Sequence, residues 1–95
     1  MATCRSSGVN TASTIINAGR CKLVSIHATL TGVNPTTIKV FDNASAASGK
    51  ELARIKLGQT ENLEFDMHGV LALNGLYLSI SSGTDEGAAV SVEFA

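Results

Sequence analysis

Apolar side chains recur at every second position along most of this chain, in short runs divided by clusters of Gly, Asn, Asp and Ser. A period of two marks extended backbone with one face buried, and helix-period patterns are scarce, with room for no more than a short helical turn around Ala44 to Ala47. Between Cys21 and Leu30, the residues Val24, Ile26, Ala28 and Leu30 supply an apolar face against Lys22, Ser25, His27 and Thr29. That pattern predicts a half-buried strand. Thr36 to Asp42 repeats it with Ile38 and Val40 facing in and Lys39 and Phe41 sharing the other face, after an Asn34-Pro35 start that needs no N–H. Glu51 to Leu57 sets Ala53, Ile55 and Leu57 against Arg54 and Lys56.

The connections are as legible as the strands. Asp42 to Gly49 is rich in residues that bond their own backbone, which predicts an exposed loop. Leu63 to Asp66 and Val70 to Leu73 read as two short strands with a turn at His68-Gly69, and Asn74-Gly75 predicts a type I′ hairpin into a strand from Leu76 to Ser81. After the polar loop Ser82 to Gly87, Val90, Val92 and Phe94 alternate with Ser91 and Glu93 in a closing strand. Met1 to Asn17 holds only Val9 and Ile15-Ile16 as strong apolar points, predicting one or two weak strands and an N-terminal arm over residues 1–17. Strands spaced by turns every eight to twelve residues predict an all-β fold, a small antiparallel β-sandwich of jelly-roll type, as one domain over residues 1–95.

Composition narrows the function. Only 4% of the 95 residues are aromatic, there is no Trp, and roughly four in ten are Ala, Gly, Ser or Thr. Such a chain has few large anchors for a core, so oligomerisation is expected to supplement it, and a deep side-chain-rich pocket is not expected. Seven basic and eight acidic residues are interspersed, with a net charge of -1 and no basic block for a phosphate backbone. Neither a nucleic-acid nor a membrane partner is expected. The opening Met-Ala-Thr-Cys-Arg lacks the apolar stretch of a signal peptide, so synthesis in the cytoplasm and two free thiols at Cys4 and Cys21 are expected.

No motif for chemistry assembles. His27 and His68 stand in no metal-ligand spacing, and nothing like Gly-x-Ser-x-Gly places a serine at a strained turn for a Ser-His-Asp triad. Glu61, Glu64 and Asp66 alternate with Leu63 and Phe65, which makes them the solvated side of a strand rather than paired acid–base carboxylates. Asp85-Glu86 lacks the ligand spacing of a calcium loop and reads as a turn. Tyr77 is the lone phenol, too little for a carbohydrate-stacking face. No catalytic, cofactor-binding or metal-binding residues are expected, no cofactor, and no enzyme.

The run Thr37-Ile38-Lys39-Val40-Phe41-Asp42-Asn43-Ala44-Ser45-Ala46-Ala47-Ser48-Gly49-Lys50-Glu51-Leu52 resembles the strand–loop–strand segment of small virion structural proteins of tailed bacteriophages. Phe65-Asp66 with Gly69-Val70, Asn74-Gly75-Leu76-Tyr77-Leu78, and Gly83-Thr84 before Val90 to Phe94 extend the likeness to the end of the chain, with Gly8-Val9 a looser echo. The resemblance implies a compact β-sandwich that assembles into the virion. The leading expectation is a capsid decoration or cement protein that stabilises the head, with a tail, fibre or adaptor module, or a small host-directed binding protein, as alternatives. Its expected partners are the phage major capsid protein or other virion proteins, and itself as a homo-oligomer, a trimer being favoured because it matches three-fold positions on an icosahedral shell.

Overall fold

The computed structural model describes residues 4–58, 62–81 and 87–95. Within them the chain forms eight strands and no helix: β1 (Arg5–Asn10), β2 (Thr14–Asn17), β3 (Cys21–Leu30), β4 (Thr36–Asp42), β5 (Lys50–Leu57), β6 (Asn62–Ala72), β7 (Leu76–Ile80) and β8 (Ala88–Phe94). All pairings are antiparallel and give two four-stranded sheets, ordered β1-β8-β3-β6 and β2-β7-β4-β5. The pairs β4·β5, β3·β6, β2·β7 and β1·β8 are nested like one long hairpin, and successive pairs alternate between the sheets. That winding is the jelly roll, so the expected sandwich is the observed one.

The alternation that predicted the strands fills the space between the sheets. β8 buries Ala88, Val90, Val92 and Phe94, β7 buries Leu76, Leu78 and Ile80, and β4 adds Ile38 and Val40. Each of these Val, Leu, Ile and Phe side chains is worth about 1.5–3 kcal/mol on full burial. β8 lies between β1 and β3, in the interior of its sheet rather than closing it at an edge.

Three expectations are corrected. β3 changes phase along its length: Cys21 and Leu23 face in, then Ile26 and Ala28, and Val24 is half-buried where the pattern placed it in the core. The cause is a bulge against β8, since Leu23 pairs with Phe94 and Ser25 with the adjacent Glu93, which leaves Val24 without a partner there; one extra residue flips every later side chain to the other face. Opposite it, the expected strand pair 63–66 and 70–73 is one strand, β6, whose two halves both pair with β3. His68 (φ 54°) and Gly69 (φ 80°) kink that strand without reversing it.

Asn74-Gly75 is likewise not a hairpin turn. β6 and β7 belong to different sheets, so these residues carry the chain across the sandwich. Among the described residues His68 alone of the non-glycines has a positive φ, which excludes the type I′ turn that Asn74 would need. The first segment forms two strands as expected, and they are the outer strands β1 and β2, one in each sheet. The loop from Asn43 to Gly49 is irregular, as read; the Ser82 to Glu86 part of the last loop lies outside the described residues.

Candidate functional site

The outer face of the β1-β8-β3-β6 sheet gathers polar side chains by register. Ser25 stands between Glu93 and Asp66, and His27 between Ser91 and Glu64. One oxygen of Glu93, Oε1, accepts from Ser25 Oγ at 2.8 Å and lies 3.0 Å from His27 Nε2; His27 Nδ1 is 3.8 Å from Glu64 Oε2. The Ser25 hydroxyl, and after it the His27 ring, hold the Glu93 carboxyl below its ordinary range. A nucleophilic triad needs the opposite wiring, with the serine proton passing to the imidazole and the carboxylate on the far ring nitrogen. Here the carboxylate accepts the hydrogen bond of the serine hydroxyl directly, and the three side chains clip β3 to β8. Composition did not reveal this trio, because residues 25 and 93 meet only through the strand register.

Of the other side chains weighed from sequence, Glu64 and Asp66 are exposed on β6, as the alternation suggested, but Phe65 between them is also 39% exposed. His68 Nδ1 lies 3.6 Å from Asp66 Oδ1, and Asp66 Oδ1 accepts the His68 backbone N–H at 2.9 Å. Glu61, Asp85 and Glu86 lie outside the described residues. Among the described residues no three His, Cys, Asp or Glu side chains converge as metal ligands. Tyr77 is half-buried, in register with Ile15 on one side and Phe41 on the other. Cys4 is exposed and Cys21 buried, and both are free.

Two of the segments that carry the resemblance, Thr37–Leu52 and Asn74–Leu78, meet at one end of the sandwich. Asp42, at the end of β4, accepts the N–H groups of Asn74 (2.7 Å) and Leu73 (3.2 Å). The Asn74 N–H is the main reason its carboxyl sits below the ordinary range. Asn43 Oδ1 accepts the N–H groups of Ser45 and Ala46, shaping the following loop. Gly75 packs so tightly that a β-carbon there would come within 2.5 Å of the Asn17 carbonyl oxygen and 3.1 Å of Ala44 Cα.

The lateral sides of the sandwich differ. One is made by β5 and β6, and their exposed charges, among them Lys50, Arg54, Lys56, Glu64 and Asp66, deter further strand pairing. The other is made by β1 and β2, which carry Ser, Thr, Asn and Gly with Arg5 as the one charge. On these strands Val9, opposite Ser91, is 74% exposed and Ile15, opposite Tyr77, is 47% exposed, each on the outer face of its own sheet. Sequence reading pointed to this segment as a contact arm; its position as the outer strand of both sheets, and the exposure of those two side chains, needed the fold. No protein-family model, no curated protein and no solved structure matches this chain.

Proposed function

We propose that this chain is a structural subunit of a bacteriophage virion, of the head decoration or cement class, and works by presenting the β1/β2 side of its sandwich to neighbouring subunits. The observation that carries this reading is the asymmetry of the two lateral sides. The β5/β6 side sets its exposed Phe65 and Leu71 among charges, whereas the β1/β2 side exposes Val9 and Ile15 on strands with a single charged residue. Large exposed aliphatic side chains on an unguarded edge mark a surface made for burial against a partner.

The virion assignment comes from the resemblance, and the geometry supports it by giving the resembling residues a shared task. Asp42, Asn43, Asn74 and Gly75 build one tightly packed end of the sandwich. The jelly roll by itself serves many functions, so it does not choose among them. Β1 is bulged near Gly8 (φ 73°), which shortens its free backbone edge and makes side-chain burial, rather than added strand pairing, the main contact.

Mass spectrometry of purified particles from the phage that encodes the chain is the test. Hundreds of copies per particle are expected. A few to a few dozen copies would move the subunit to the tail or fibre, and absence from the particle would overturn the reading.

A further inference from the structure

Three of the seven basic residues, Lys39, Arg54 and Lys56, stand together on the outer face of the β2-β7-β4-β5 sheet. The register puts Lys39 opposite both Arg54 and Ser79, and Thr37 opposite Lys56. With Ser81 these six side chains line a concavity of about 430 Å³. Like charges directly opposite one another destabilise a sheet. Arg54 is offset by Glu51, whose carboxylate accepts its Nε and Nη2 at 2.8 and 3.0 Å. Lys39 and Lys56 make no ion pair among the described residues, so three cations face one carboxylate.

We propose that this cup binds a phosphoryl or sulfuryl group, gripped by Lys39, Lys56 and Arg54 over the hydroxyls of Thr37, Ser79 and Ser81. A tetrahedral oxyanion offers enough acceptor oxygens to engage two ammonium groups, a guanidinium edge and hydroxyls at once, and it relieves the repulsion between the cations. Ser81 Oγ already accepts the Thr37 N–H at 2.9 Å, so its own proton is left to donate. The volume suits a small ligand. Three cations in one cup, with no ring lining it, match one compact anionic group rather than the extended phosphate track and stacked bases of a nucleic acid. This inference is independent of the assembly surface on the β1/β2 side.

Isothermal titration calorimetry on the full chain at low ionic strength tests it, with inorganic phosphate, glucose 6-phosphate and a sulfated heparin disaccharide as separate probes. Saturable binding of at least one probe is expected, weakened by added salt and weakened at least about tenfold by Lys39→Gln or Lys56→Gln. Lys22→Gln, on the outer face of the other sheet, leaves it unchanged. Equal affinity for inorganic phosphate and the esters identifies the free anion as ligand, and tighter binding of one ester identifies its carrier. Thermal melts of both cup variants at or above the parent's are expected, since each substitution removes repulsion. No heat with any probe, or an equal loss in Lys22→Gln, overturns the proposal. So does salt-sensitive self-association of the parent that Lys39→Gln abolishes, which would show the cup occupied by the acidic face of a second copy.

Discussion

The carboxylate of Asp42 bridges the end of β4 to the segment that carries the chain from one sheet to the other, by accepting the Leu73 and Asn74 N–H groups. Those N–H groups favour the ionised form, so its pKa is lower folded than unfolded. The resulting stabilisation is complete above the unfolded value of about 3.9 and is lost as pH falls through the lower folded value. Glu93 and Glu51 are shifted in the same direction. Asp42→Ala should therefore lower the melting temperature by several degrees at pH 7, and circular-dichroism melts should show the gap from the parent closing between pH 4 and pH 2. A gap that widens in acid would contradict the bridge. The two cysteines offer a second check, because burial pushes the Cys21 thiol up while Cys4 is exposed. A thiol reagent should modify Cys4 in the native protein and Cys21 only after unfolding.

Elements are where local pattern and long-range pairing compete. The bulge in β3 moves Leu23 into the core and Val24 partly out of it. Urea denaturation should find that Leu23→Ala costs about 2–5 kcal/mol and Val24→Ala under about 1.5. The reverse order would restore the uninterrupted alternation. The glycines that bend the chain differ in what surrounds them. At Gly69 (φ 80°) a β-carbon meets only the Lys22 side chain at 3.8 Å, so Gly69→Ala carries the backbone cost alone, about 1–2 kcal/mol. Gly75 (φ 148°) adds a collision with the Asn17 backbone, and Gly75→Ala should cost at least about 2 kcal/mol by the same measurement.

For the whole molecule, the unequal lateral sides predict how copies meet. A modest core with an exposed Val9 and Ile15 on the unguarded side favours a closed oligomer, for which a trimer is proposed. Light scattering at micromolar concentration should find a mass well above the 9.8 kDa protomer. Val9→Asp should return the protein to that monomer mass, because it buries a charge at the contact, whereas Phe65→Asp on the guarded β6 should leave the assembly intact. A parent that is monomeric, or equal effects of the two substitutions, would remove the β1/β2 side as the interface.

Alternation along the chain was enough to place Ile38 and Val40 of β4, Ile55 and Leu57 of β5, and Val90, Val92 and Phe94 of β8 in the core, because there a period of two translates directly into one inward face, although it set Phe41 on the opposite face and the fold buries it as well. It was also enough for the all-β class and for the weak strands near the start. What it did not contain was phase and partner. Whether Val24 or Leu23 enters the core depends on a bulge that forms only when β3 pairs with β8, sixty and more residues further along the chain. Asn74-Gly75 has the local chemistry of a tight hairpin, yet Asp42, thirty-two residues away, holds its backbone in a crossing between sheets. The Ser25, His27 and Glu93 clip and the cup of Lys39, Arg54 and Lys56 likewise arise from cross-strand register. Side-chain periodicity is set by neighbouring residues and can be read along the chain, whereas register is set by distant strands competing to bury their faces, and only the folded sandwich decides it.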